Sequence, residues 1–264
     1  MDTRELFRVM LDFERAWLEA GVTVLPRPWG TLFRGEPYPL IYVANLAWVD
    51  RLPSEGPTRV LDEMDEVLGA AGIRFRSLVF ADAQEAYEAQ EAFAAEGFRP
   101  TAEIGMARVG LPTCIVNPDV EIREVGRGAP AEHFRGISKA IDDESGHSDD
   151  VHRQFTTIAS ARAAAVEMRD YVAYLKGEPA GTVSVWPRGR FAVIDNVATH
   201  PRFRMKGVGR TMIFEACNRA IQELCEYSLL FANLFETPQV MYKTLGFEPI
   251  GEMRGFFRGA PNPS

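Results

Sequence analysis

Two kinds of hydrophobic spacing alternate along the second half of the chain. Phe191-Ala192-Val193-Ile194-Asp195-Asn196-Val197-Ala198-Thr199 is a short, mostly apolar run that reads as a strand. The segment after it sets Met212/Ile213, Ala216/Cys217, Ala220/Ile221 and Leu224/Cys225 as an apolar pair at every turn of a long helix. Upstream, Val120 to Glu124 reads as a strand, Ala131 to Ile141 as a helix and Val151 to about Ala165 as another. Asp170 to Leu175 and Gly181 to Trp186 form a predicted hairpin around Lys176-Gly177-Glu178-Pro179-Ala180, and a turn at Arg188-Gly189-Arg190 follows. Downstream, Ser228 to Asn233 has a buried-strand pattern. Thr237-Pro238 then predicts a helix start, with a capping hydroxyl and proline at the first helical position, and Gly246 the stop.

Part of this pattern occurs twice. Ser77-Leu78-Val79-Phe80-Ala81-Asp82 matches Ser228-Leu229-Leu230-Phe231-Ala232-Asn233 at an offset of 151 residues. Glu96-Gly97-Phe98-Arg99-Pro100 matches Leu245-Gly246-Phe247-Glu248-Pro249 at an offset of 149. A whole strand–helix–strand unit is thus repeated, as a tandem duplication of a domain would leave it. Before the first copy, Thr58 to Gly72 carries Val60, Leu61, Met64, Val67, Leu68 and Ala71 at helical spacing, and Ile41 to Val49 reads as a strand. The expectation is an α/β protein of two domains, residues 1–112 and 119–264, each a mixed, mostly antiparallel twisted sheet flanked by helices. Gly110-Leu111-Pro112-Thr113-Cys114-Ile115-Val116-Asn117-Pro118 would be the linker.

Composition narrows the function. With 264 residues, 46% of them hydrophobic and 25% charged, the chain is of globular type. A net charge of -8 and a pI near 5.2 argue against nucleic acid or an anionic membrane as partner. No apolar run reaches the roughly 18 residues of a spanning helix, and Met1-Asp2-Thr3-Arg4-Glu5 does not read as a signal peptide. Cys114, Cys217 and Cys225 read as reduced thiols, the last two on the inward stripe of a helix, and the four histidines have no metal-ligand spacing. A soluble, cytoplasmic, metal-free monomer or homodimer is expected.

Against that acidic background, Arg202, Arg204, Lys206 and Arg210 place four cations around Gly207 and Gly209, between a strand and a helix start. Glycines let backbone N–H groups approach a ligand, and a helix N-terminus supplies unpaired donors and a favourable dipole for a phosphate. A Walker loop would have its lysine after the glycines, and a dinucleotide fingerprint would need glycine where Met212 stands. What remains is Arg204-x-x-Gly207-x-Gly209. It resembles the acetyl-coenzyme A pyrophosphate loop of the GNAT superfamily of N-acetyltransferases, Gln/Arg-x-x-Gly-x-Gly/Ala. About thirty-five residues on, Met241-Tyr242-x-x-x-Gly246-Phe247 is similar to the Leu-Tyr-x-x-x-Gly-Phe signature that closes that fold.

The resemblance implies two GNAT-like domains, acetyl-CoA as cosubstrate without a metal, and a primary amine of a small molecule or peptide as acceptor. It assigns the pyrophosphate to backbone groups of Met205, Lys206, Gly207, Val208, Gly209 and Arg210, with Arg204 and Lys206 adding charge, and Thr211 and Asn233 beside them. Val197 and Thr199 would pair with the pantetheine arm, and an N–H near Val197 or Ala198 would polarise the thioester carbonyl. Tyr242 would protonate the leaving thiolate, or be a core tyrosine bonded to a carbonyl. Asp195, on the same face as Val197 by the period-two rule, would remove the amine's proton, or satisfy a nearby turn or arginine. The acidic run Asp142 to Asp150, expected as a loop, would attract a cationic amine or simply be solvated. Trp186 would wall the acceptor pocket or pack.

Two positions depart from the family pattern: Phe235 replaces an asparagine and Pro238 a small residue, which leaves a longer acyl group open. The first copy lacks the chemistry. Its loop, Arg51-Leu52-Pro53-Ser54-Glu55-Gly56-Pro57-Thr58, has one glycine, two prolines and an acid, and Phe93 matches Tyr242. Residues 1–112 are therefore read as a degenerate copy. A non-catalytic coenzyme A sensor or scaffold is the alternative to an enzyme.

Overall fold

The computed structural model describes residues 1–126 and 128–259, so residue 127 and residues 260–264 of the expected C-terminal domain lie outside the described residues. In the first half the elements are α1 (Thr3–Glu19), β1 (Thr23–Arg27), β2 (Gly30–Arg34), β3 (Ala47–Val49), α2 (Pro57–Met64), β4 (Arg76–Phe80), α3 (Ala83–Ala95) and β5 (Arg99–Val109). The second half adds β6 (Val120–Glu124), α4 (Ala129–Glu144), α5 (Asp149–Ala165), β7 (Arg169–Leu175), β8 (Glu178–Arg188) and β9 (Phe191–Thr199). It ends with α6 (Val208–Gln222), β10 (Tyr227–Asn233), α7 (Pro238–Thr244) and β11 (Glu248–Arg258). The class is α/β.

Two compact units form, built from interleaved segments. One gathers Met1–Met10, Gly105–His147 and Ala163–Ile250; the other Leu11–Ile104, Ser148–Arg162 and the segment from Gly251. We call them the C-terminal and N-terminal units after their main segments. The Gly110–Pro118 linker separates the sequence repeats, whereas the compact units exchange pieces across it.

In the N-terminal unit the strand order is β1-β2-β3-β4-β11. β3 and β4 are parallel and the other neighbours antiparallel, with Arg254–Arg258 of β11 against Phe80–Arg76 of β4. Its core joins Trp29, Leu32, Leu78, Phe80, Phe98 and Phe256 around Phe93, which is 0% exposed and stacks on Phe256 with centroids 4.3 Å apart. Arg162 of α5 is buried here. Its guanidinium donates to the carbonyls of Leu18, Ala20 and Val43, and burial pushes its pKa down to about 10.

In the C-terminal unit the order is β5-β10-β9-β8-β7-β6, with β9 and β10 parallel and β6 to β9 antiparallel. The turn between β7 and β8 uses Lys176 and Gly177, both at positive φ, as a two-residue hairpin requires. Helix α6 lies on β8 and β9 through Val208, Met212, Ile213, Ala216 and Ala220. It lies close because Gly181 has no Cβ, which would sit 2.7 Å from Met212 Sδ and 2.8 Å from the Ala198 carbonyl. On another face Leu6 and Met10 of α1 pack with Ala107, Tyr227, Leu229 and Ile250.

The repeat is visible in the helix ends. Phe98 N–H donates to Phe93 O and Phe247 N–H to Tyr242 O, both at 3.0 Å, over Gly97 at φ +80° and Gly246 at φ +79°. Yet the last strand of each repeat is not paired within its own copy. β11 lies beside β4, and β5 beside β10.

Several expectations are corrected. The strand expected over Ile41–Val49 is reduced to Ala47–Val49, after a 3₁₀ turn Tyr42–Ala44. The buried Asn45 side chain accepts from Gly35 N–H and donates to Tyr38 O and Ile41 O, taking over the bonds a longer strand would need. The helix expected to Gly72 changes at Met64 to a π turn, Asp65–Gly69. The acidic run is no loop, since Asp142–Glu144 end α4 and Asp149–Asp150 begin α5. Leu224, placed on the helical stripe, lies beyond α6 at φ +62° and is exposed. Thr237 precedes α7, but its hydroxyl makes no cap bond. Among the described residues no helix is long and apolar enough to cross a membrane.

Candidate active site

β9 and β10 pair only at Phe191/Tyr227, Ala192/Ser228 and Val193/Leu229. β9 then runs on to Thr199 and β10 to Asn233 without pairing to each other, so the sheet of the C-terminal unit splits open. The resulting cleft has a volume of about 300 Å³. Ile194, Asp195, Asn196, Val197 and Ala198 line one wall; Phe231, Ala232, Asn233, Pro238 and Tyr242 line the other.

A bulge shapes the first wall. Thr182 faces Ala198 and Ser184 faces Asp195, so β9 carries one residue more than β8 at this point. Asn196 takes up the extra residue at φ +50°, a left-handed conformation that asparagine tolerates better than most. The period-two count that set Asp195 and Val197 on one face does not hold across this bulge. Both residues nevertheless reach the cleft.

Asp195 and Tyr242 are brought together. Burial raises the Asp195 pKa; the Asn196 N–H, donating to Asp195 Oδ1 at 2.7 Å, opposes the rise, and the charge of Asp170 adds to it. Tyr242 is 6% exposed, and burial followed by the Asp195 charge pushes its pKa up to about 12. A carboxyl with raised proton affinity thus faces a phenol that stays protonated at working pH. Opposed acid and base candidates in one cleft are what proton-transfer catalysis requires.

The cationic bend adjoins this cleft through Thr199, His200 and the 3₁₀ turn Pro201–Phe203. Arg204 is extended, Met205 is left-handed at φ +60° and fully exposed, and Gly207 is the left-handed N-cap of α6 at φ +78°. Thr211 N–H bonds Gly207 O, whereas the N–H groups of Val208, Gly209 and Arg210 have no protein acceptor among the described residues. Asn117 clamps the bend: its N–H donates to Thr211 Oγ1 at 2.9 Å and its Nδ2 to Lys206 O at 2.8 Å. Lys206 and Arg202 lie over the Phe203 ring, and Arg210 is exposed. Arg204 is engaged by both carboxylate oxygens of Glu144, which holds the Glu144 pKa below its ordinary range. Free donors, cations and a Cβ-free surface fit a diphosphate.

The remaining sequence candidates fall as follows. Thr211 is buried, its hydroxyl donating to Gly207 O, so its side chain builds the bend. Asn233 folds an Asx turn, with its Oδ1 on Phe235 N–H and its Nδ2 on Glu236. Trp186 is buried outside the cleft lining. The acids of the run are mostly paired nearby, Asp143 with Lys139, Asp142 with His147 and Asp150 with Arg153. Sequence reasoning missed Asn117, Asp170, Thr182 and Ser184. The available signal was two hydroxyls alternating inside the apolar run Gly181–Trp186.

The matching place in the N-terminal unit is closed. β3 and β4 pair to Val49/Phe80, and Ala81 N–H then donates to Val49 O at 3.0 Å. Phe93 fills the position matching Tyr242. Gly56 is again a glycine N-cap, at φ +76°, but Pro57 follows it without an N–H. In that loop Leu52 N–H is already bonded to the Glu85 carboxylate.

Comparison with known proteins bears on the fold. Residues 169–249, from β7 to the start of β11, match the acetyltransferase (GNAT) domain. The fold is similar to a functionally unknown conserved protein from Staphylococcus epidermidis (TM-score 0.74, 14% identity, covering 90% of this chain and 94% of that one). It is also similar to a GCN5-related N-acetyltransferase from Sphaerobacter thermophilus (0.57, 13%, 78% and 68%). A tandem GNAT protein from the clavulanic acid biosynthesis pathway is a third (0.53, 19%, 82% and 75%). No curated protein sequence matches the chain significantly.

Proposed function

We propose that the chain is an N-acetyltransferase that moves an acetyl group from acetyl-CoA to a primary amine of a small molecule or peptide, using the C-terminal repeat alone. The observation that carries this is the parting of β9 from β10 beside a glycine-capped helix start, with Asp195 and Tyr242 inside the opening. Backbone N–H groups of Val208, Gly209 and Arg210, with Lys206 and Arg210, hold the diphosphate; Arg204 joins them on leaving Glu144. The unpaired edge of β9 at Val197 and Thr199 takes the pantetheine arm as an added strand would be taken. The cosubstrate supplies the activated acetyl group.

Asp195 accepts a proton from the incoming ammonium, directly or through water, and its raised pKa suits it to that step. The amine nitrogen then bonds to the carbonyl carbon as the C–S bond breaks, an N–H near Val197 or Ala198 supports the charge on oxygen, and the second nitrogen proton passes through water to the departing thiolate. Tyr242 faces the leaving sulfur. A free thiolate takes up a proton near pH 8.5, well below the phenol's pKa, so Tyr242 acts first as a hydrogen-bond donor to it. The N-terminal repeat is read as a supporting copy, because Phe93 and the unbroken β3–β4 pairing fill the matching space.

Thiol release from acetyl-CoA across a panel of primary amines, with calorimetry of coenzyme A binding, tests the reading. Amine-dependent release and one coenzyme A per chain are expected. Binding without amine-dependent release would favour a sensor, and two sites per chain would refute the single-site reading.

A further inference from the structure

Behind the bulge lies a buried polar chain that the proposed mechanism does not use. Ser184, 0% exposed, donates its hydroxyl proton to Asp170 Oδ1 at 2.5 Å. That proton is its only one, so Ser184 Oγ must accept from Asn196 Nδ2, 3.0 Å away. Thr182, 2% exposed, donates to the Asn196 carbonyl at 3.0 Å. Asn196 N–H in turn donates to Asp195 Oδ1 at 2.7 Å.

These bonds meet at the one residue of β9 whose backbone is left-handed. A non-glycine residue there is strained, asparagine less than most, and persists when its surroundings hold it. Buried hydroxyls in an apolar strand are themselves unfavourable unless paired. Thr182 and Ser184 flank the point where the register slips, and both are spent on Asn196 or on Asp170 behind it.

We infer that Asp170 is a positioning residue for Asp195: through Ser184 it anchors the Asn196 side chain, and so keeps the bulge turned to aim the Asp195 carboxylate into the cleft. The inference rests on the reading of Asp195 as the proton acceptor. The charge that bears on Asp195 is that of Asp170 on β7; Tyr242 of α7, which lines the same cleft, stays neutral. Beside the larger effect of burial, an ionised Asp170 makes Asp195 hold its proton more firmly.

Three variants of the full chain test this. D170N keeps an acceptor oxygen for Ser184 but removes the charge; D170A and S184A break the anchor. Carboxyl-carbon NMR should show the Asp195 midpoint moving to lower pH in D170N than in the parent. In acetyl transfer, D170A and S184A should lose about tenfold in kcat at unchanged KM for acetyl-CoA, with D170N staying within about twofold of the parent. Full kcat in S184A, or an Asp195 midpoint that S184A leaves unmoved, overturns the inference. Should D170A not fold, S184A carries the kinetic arm. A parent inert toward every amine sinks the enzymatic reading alone, since the Asp195 titration still decides this one.

Discussion

At the scale of the residue, the site sets activity against stability. The folded Asp195 pKa lies above that of an unfolded aspartate, about 3.9. The native state therefore binds more protons between the two values, and stability falls as pH rises through that window. Asp195→Asn should be more stable than the parent above the window and indistinguishable from it below, as thermal unfolding across pH would show. The same variant should lose about 10²–10⁴-fold in kcat; parent-like activity would remove Asp195 from the mechanism. Tyr242→Phe should fold and bind coenzyme A normally, because the first repeat already packs Phe93 there, and should lose about 10²-fold in kcat. Steady-state rates and calorimetry on one preparation would separate the two effects. Both residues could be proposed from the sequence, Tyr242 from its spacing to Gly246 and Asp195 from its place on the strand that leads into the bend. Asp170, Thr182 and Ser184 were not. A polar residue on a buried strand face has no period of its own, and the bulge at Asn196 moves the facing register by one in a way alternation cannot reveal.

At the scale of the element, the bend and the start of α6 separate folding from binding. Gly209 is the second residue of α6, and a Cβ there would lie 3.4 Å from Thr199 Oγ1 and 3.7 Å from Met241 Sδ, ordinary contact distances. Gly209→Ala should therefore fold like the parent. Gly209→Asp places an acid in the first turn, which suits the helix and removes a flexible residue, for a gain of roughly 0.5–1 kcal/mol. The same carboxylate would meet the diphosphate, so coenzyme A affinity should fall at least tenfold. Thermal unfolding and calorimetry would show the two moving in opposite directions; an Asp variant with undiminished affinity would mean the diphosphate lies elsewhere. Such elements were legible where local signals agree. β6 and β9 fall on their expected bounds, and α6 begins at its glycine. Ile41–Val49 failed because one buried asparagine side chain diverts the backbone bonds, an effect of tertiary packing that strand propensity does not carry.

At the scale of the whole molecule, the duplication was legible and the exchange of final strands was not. The offsets of 151 and 149 residues are the same whichever sheet β5 and β11 join, because strand partners are settled by pairing that no local pattern encodes. The consequence is that the cleft-bearing unit is incomplete in the second half of the chain. It takes Met1–Met10 and Gly105–Val109 from before the linker, with Leu6, Met10 and Ala107 buried against Tyr227, Leu229 and Ile250. Leu6 and Met10 alone bring about 3–6 kcal/mol of burial, comparable with a typical total stability of 5–15 kcal/mol. The same helix sets Phe7 edge-on to Phe231, which lines the cleft. Residues 113–264 expressed alone should then show no cooperative thermal transition and no affinity for coenzyme A. Co-expression with residues 1–112 as a separate chain should restore both, because the missing strand and helix can be supplied without the covalent linker. A lone 113–264 fragment that binds coenzyme A as tightly as the full chain would show that the cleft needs neither β5 nor the first turns of α1.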